Sequence, residues 1–169
     1  MTRIGRFFAL CAVTAIALPA ETFTTLLSFD GTEGQDPQAA LVQATNVELY
    51  GTAWCGGAAG CDLVDGTGTV FGITVSGTLM RLHSFCSHGY PQCTDGAGPY
   101  AGLIQAANGS LHGTTSSGGT NCAESLGCGT FFKITPSGAP TTLYSFCSQT
   151  NCADGAYPLA GLVAFRVLP

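Results

Sequence analysis

Apolar residues in this chain fall into short runs broken by Gly, Thr, Ser and Pro, and the runs recur. The stretch Gly129–Phe146, GTFFKITPSGAPTTLYSF, repeats most of Gly68–Phe85, GTVFGITVSGTLMRLHSF, and its tail returns as Thr24–Phe29, TTLLSF. No amphipathic helix of useful length can be traced after residue 20, whereas the runs are rich in Val, Ile, Phe, Tyr and Thr and read as strands.

The period organises the rest. A frame Leu-x-Ser-Phe, strand A, occurs at Leu26–Phe29, Leu82–Phe85 and Leu143–Phe146, spaced 56 and 61 residues apart. An acidic-Gly turn follows each copy, with Pro three residues beyond the Gly: Glu33-Gly34 and Pro37, Asp95-Gly96 and Pro99, Asp154-Gly155 and Pro158. Strand B comes next, at Ala40–Gln43, Gly102–Gln105 and Gly161–Val163. Strand C is Leu49–Thr52 and again Leu111–Thr114, and strand D is Gly68–Thr74 and again Gly129–Thr135. Asn108-Gly109 between B and C is a strong hairpin signal, for which the first copy has the weaker Asn46-Val47. The D–A link is a tight turn, Val75-Ser76-Gly77 or Pro136-Ser137-Gly138.

Four short antiparallel strands per unit predict an all-β, propeller-like repeat of four-stranded blades, with about two and a half blades present. The repeats are placed at about residues 24–81, 82–142 and, in part, 143–164, within a β-repeat domain over 21–169. Because strand direction alternates, the long A–B and C–D links are expected at one end and the B–C and D–A turns at the other. Closed propellers hold about 4–8 blades. The chain is therefore expected to be a fragment of a longer array, one of several assembling chains, or an open pair.

Composition narrows the setting. Met1–Ala20 reads as a secretory signal, with Arg3 and Arg6 before an apolar core at Phe7–Leu18 and a small-residue exit. A retained membrane anchor is the competing reading, and Leu10 before Cys11 disfavours lipid attachment. Beyond the signal, three basic residues (Arg81, Lys133, Arg166) stand against ten acidic ones, a net charge near −7. Nucleic acid is excluded as a partner, since binding it rests on phosphate neutralisation by Lys and Arg. Membrane insertion after signal removal is likewise not expected.

Eight cysteines remain, in four close pairs within the long links: Cys55 with Cys61, Cys86 with Cys93, Cys122 with Cys128, and Cys147 with Cys152. Short spacing, and positions taken as equivalent in successive repeats, favour local disulfides in an oxidising compartment, each contributing about 2–3 kcal/mol by loop-closure entropy. The alternatives are free thiols or metal. Cys86-x-His88 with Cys93 is a ligand trio, but the spacing is wide for zinc and the Cys147–Cys152 copy has no His. No metal or cofactor is expected.

Catalysis has little to stand on. His83 takes the place of Leu27 and Tyr144, and His112 that of Tyr50, so both read as ordinary strand positions. Glu33, Asp95 and Asp154 share one repeated position; a calcium ring is conceivable, and turn chemistry is the simpler cause. Asn108-Gly109-Ser110 matches a glycosylation acceptor as well as a turn. Trp54, His88 and Tyr90 lie in the long links and are the candidate binding residues. An aromatic there either stacks on a sugar or covers its own loop's bridge.

The frame GTFFKITPSG, TLYSF and DGAYPLAGLV, together with GLIQAANGSLHGTTSSGG, resembles the GloVer-type tandem repeats of bacterial extracellular choice-of-anchor proteins over about residues 24–164. The resemblance implies a secreted or surface-displayed array of propeller-like blades and carries no established activity or catalytic residue. The expected function is a non-enzymatic scaffold or binding module acting through the cysteine-closed loop face. Its partner would be a surface glycan, a protein or further blades. The alternative is a fragment of an extracellular carbohydrate-active propeller enzyme.

Overall fold

A computed structural model describes residues 24–25, 27–61, 67–88, 93–121 and 128–164. The expected signal segment lies outside them, as do Tyr90 and Cys122.

Among the described residues eight strands form in chain order: β1 (Val42–Gln43), β2 (Leu49–Ala53), β3 (Thr69–Ile73), β4 (Leu79–Ser84), β5 (Ile104–Gln105), β6 (Leu111–Thr115), β7 (Thr130–Ile134) and β8 (Pro140–Ser145). They make two four-stranded sheets, ordered β1-β2-β3-β4 and β5-β6-β7-β8, with every neighbouring pair antiparallel. The all-β expectation of propeller-like blades holds, and the pair of blades is not closed.

Each sheet gathers strands B, C and D with the A strand that follows them. The tight D–A turn explains the grouping: it folds β4 onto β3 and β8 onto β7 before the chain can reach another edge. Gly77 and Gly138, at φ 84° and 89°, supply the left-handed residue of that turn. A register shift then falls at Val70/Phe71 in one sheet and at the matching Phe131/Phe132 in the other. A bulge at the same place in both copies is a built feature of the hairpin. Leu27–Phe29, which has no described D strand before it, forms no strand. The strand expected at Gly161–Val163 does not form either, since no described C strand lies beside it to accept its hydrogen bonds.

Alternation along the strands decides which side chains meet. Tyr50 and Val70 of the first sheet face the second, where Leu103, Leu111, Phe132 and Ile134 receive them, and Phe85 joins the same cluster. The Phe85 and Phe132 rings meet edge to face with centroids 5.0 Å apart. Within this joint the Thr52 hydroxyl donates to the Ala101 carbonyl (3.0 Å), which satisfies a buried polar group. Ala53, Phe71 and Ile73 point the opposite way, where Leu27 and Phe29 cover them. Phe29 repeats on Phe71 the edge contact that Phe85 makes on Phe132, again with centroids 5.0 Å apart.

Close approach explains one glycine in each unit. A Cβ at Gly68 would fall 2.3 Å from Pro99 Cδ, and one at Gly129 would fall 2.6 Å from Pro158 Cδ. Pro99 and Pro158, of the second and third A–B links, thus seat on the start of the preceding unit's D strand. These contacts stack one unit on the next.

Candidate functional site: the disulfide-closed loop end

The long links meet at one end of the sheets, as strand alternation requires. Gln35 of one A–B link bridges Cys55 of the adjoining C–D link, and Ala97 bridges Ser117 in the next unit. The A–B links also touch the C–D link of the unit before them. The Gly98 amide donates to the Thr67 carbonyl (3.1 Å), and the matching Tyr157 amide donates to that of Cys128 (2.8 Å). The middle A–B link therefore sits between successive C–D links, and the loops form one continuous surface.

Disulfides close these loops locally. Cys55 is joined to Cys61, Cys86 to Cys93, and Cys147 to Cys152. Cys128 is also disulfide-bonded. Because Cys86 and Cys93 are joined to each other, the thiolate trio with His88 does not exist in this oxidised state. One expectation needs correcting: the C–D cysteines do not stand at equivalent positions. Cys55 faces Gln35 where the second unit has Ser117 facing Ala97, and Cys128 precedes Gly129 where the first unit has Thr67 preceding Gly68. The two pairs share one spacing, which hides that offset when only cysteine spacing is compared.

The repeated acids are loop caps. Asp95 accepts from the Cys86 amide (3.2 Å) and lies 2.9 Å from His83 Nε2. Asp154 accepts from the Ser148 amide (2.9 Å), the Gln149 amide (3.2 Å), the Ser148 hydroxyl (2.8 Å) and the Tyr144 hydroxyl (2.5 Å). These bonds, that from Tyr144 foremost, hold the Asp154 carboxyl well below the usual carboxylate range. Both carboxylates fix the backbone that leaves strand A, where Cys86 and Cys147 adopt positive φ of 51° and 62°. His83 thus has a specific partner, which reading the strand alone missed. Aligning His83 with Tyr144 and Asp95 with Asp154 would have found it, because a side chain able to donate stands opposite the same acid in both copies.

The candidate binding residues separate. Trp54 is half-buried, its amide bonded to the Asp36 carbonyl (3.1 Å). Its indole lies over Gly98, where an added Cβ would come within 3.0 Å of Nε1. Trp54 therefore packs on the neighbouring unit's link. His88 is exposed within the Cys86–Cys93 loop, and Tyr90 lies outside the described residues. His112 is half-buried on the strand, its pKa lowered by burial and by the nearby Lys133 charge.

Beside the loops lies an open groove of about 420 Å³, lined by Thr94, Thr120, Asn121, Thr142, Tyr144 and Ser148 among others. Its described residues offer hydroxyls, one amide and one aromatic ring, and no ionised side chain among them. Such a lining suits a neutral, hydroxyl-rich ligand. No helix among the described residues is long and apolar enough to cross a membrane. A family model described as the Gloeobacter/Verrucomicrobia repeat matches residues 4–167. No curated protein and no solved structure matches the chain.

Proposed function

Because this chain belongs to the Gloeobacter/Verrucomicrobia repeat family, whose model spans nearly all of it, we propose that it is a secreted or cell-surface binding module without enzymatic activity. Its stacked sheets are the scaffold, and the disulfide-closed loop end is the recognition face. The observation that carries this reading is the meeting of A–B and C–D links on one end, stapled by three described disulfides. Local staples keep long, strand-poor loops in one conformation, so less ordering entropy is lost on binding. Disulfides of this kind fit an oxidising, extracytoplasmic setting.

The groove supports a surface glycan as the ligand class. Thr120, Asn121 and Ser148 supply neutral donors and acceptors, and the partly exposed Tyr144 ring supplies a stacking surface. Loop residues Trp54 and His88, with Tyr90, remain the other proposed contacts. A glycan-array screen of the oxidised protein, followed by titration of hits against Asn121→Ala, tests the assignment. Binding weakened roughly tenfold by that substitution is expected for the loss of one ligand hydrogen bond together with the Asn121–Ser145 bond (2.8 Å) that sets the side chain. An array with no hits removes the glycan reading.

A further inference from the structure

The second unit brings together sulfurs that the first keeps apart. Cys128 Sγ, Cys147 Sγ and Cys152 Sγ all lie within 4.8 Å of one another. Cys147 and Cys152 form one disulfide, and Cys128 belongs to another. The gathering follows from the fold: the Tyr157–Cys128 hydrogen bond draws the last A–B link onto the end of the C–D link just where that link carries a cysteine. In the first unit the same hydrogen bond, Gly98 to Thr67, brings Cys86–Cys93 toward a threonine. Sulfurs of two disulfides gather at one joint, and at the other a threonine stands where Cys128 does.

We propose that Cys128, Cys147 and Cys152 form a thiol–disulfide exchange site whose substrate is a small or peptide thiol. Burial orders the steps. Cys152 is exposed, Cys147 half-buried and Cys128 buried, so an incoming thiolate meets Cys152 first. Attack on Cys152 Sγ forms a mixed disulfide and breaks the Cys147–Cys152 bond, and the electron pair leaves on Cys147 as thiolate. Cys147 Sγ then attacks Cys128 Sγ; the Cys128–Cys147 bond forms, and the former partner of Cys128 leaves as thiolate. One thiol enters as the mixed disulfide on Cys152 and one thiolate leaves on the former partner of Cys128, so the number of disulfides and thiols balances and no oxidant or reductant is consumed.

The product differs in what it fastens. Before exchange, Cys147–Cys152 closes a loop within the A–B link. Afterwards a Cys128–Cys147 bridge ties the A–B link covalently to the C–D link, and the loop surface is clamped across the unit boundary. The site adds a covalent switch to the loop end and stands whether or not that end binds a glycan.

Peptide mapping of the intact, oxidised chain after trapping of free thiols by alkylation tests this. In Cys152→Ser, Cys147 is expected in disulfide linkage with Cys128, with the former partner of Cys128 alkylated. The matching variant at the first joint, Cys93→Ser, is expected to leave Cys86 alkylated, since Thr67 stands there in the place of Cys128. A Cys152→Ser protein in which Cys147 is alkylated and the original Cys128 bridge is intact overturns the proposal. The wild-type chain supplies an arm that needs no variant: with added glutathione, Cys128–Cys147 peptides should accumulate together with glutathione on Cys152. Glutathione found only on Cys152, with no Cys128–Cys147 peptide, overturns it equally.

Discussion

Phe85 and Phe146 end the same four-residue frame, follow the same bulged hairpin and donate their amides to matching carbonyls, of Gly68 and Gly129, at 3.0 Å. Their surroundings differ. Phe85 is 1% exposed in the joint between the sheets, whereas Phe146 is half-buried on the outward face of the second sheet. The difference continues along both segments, with Leu103 buried and its counterpart Leu162 half-buried, and with Val163 84% exposed. Strand geometry is therefore a property of the hairpin, and β8 forms as fully as β4 without a sheet stacked on it. Burial is a property of the neighbour, and most of the apolar stabilisation arises there.

Truncating the two phenylalanines separates these contributions most sharply. Phe85→Ala removes a ring held between Phe132 and the rest of the joint, and a loss of about 3–5 kcal/mol is expected. Phe146→Ala leaves no enclosed cavity, and a loss under about 1 kcal/mol is expected. Urea unfolding of both variants measures the pair. Equal losses would show that the outward face is as well packed as the joint.

A smaller contrast involves a single hydroxyl. Thr52 and Thr114 hold the same place in strand C, and both are buried. Thr52 reaches the Ala101 carbonyl, while Thr114 Oγ1 has no hydrogen-bond partner among the described residues. The counterpart of Ala101 is Ala160, and it is exposed, so the carbonyl that would answer Thr114 belongs to a link that is not drawn inward. Thr52→Val should cost about 1–2 kcal/mol, because it leaves a buried acceptor unpaired. Thr114→Val should be neutral or slightly stabilising, because it removes an unpaired hydroxyl. Thermal melts of the two variants, compared with wild type, read the sign directly.

How much of this was legible in the chain depends on distance. The strands, the hairpin turns and the shared end for the long links follow from local pattern and strand alternation, and all were readable. Which strands form one sheet was less so, because the Leu-x-Ser-Phe frame looks like the start of a unit when it is the last strand of a sheet. The loop site was legible as paired cysteines but not as a sulfur cluster. Cys128 meets Cys147 and Cys152 only through a hydrogen bond between links, and nothing in Cys spacing encodes that. His83 was read as an ordinary strand residue because Asp95 lies twelve positions away across a turn.

Tyr50 and His112 give the finest comparison, one position of strand C in the two settings. Tyr50 is fully buried, donates its hydroxyl to Glu48 (2.6 Å) and accepts from the Asn46 amide (2.8 Å). Burial and the Glu48 hydrogen bond raise its pKa, so it stays neutral through the working range. His112 stands opposite Lys133 in the strand register, and burial first, then that charge, lower its pKa from 6.5. The folded state thus disfavours the imidazolium, and the unfolded chain takes up the proton first. Stability is full above the unfolded value, falls as pH drops through about 6.5, and levels off once the folded value is passed. His112→Tyr, which installs the first unit's residue, should flatten the stability difference between roughly pH 7.5 and pH 5 by an amount smaller than the threonine effect. Lys133→Met should remove only part of it, since burial is the larger cause. Urea midpoints at the two pH values decide the matter, and an unchanged difference in both variants would place the acid sensitivity elsewhere.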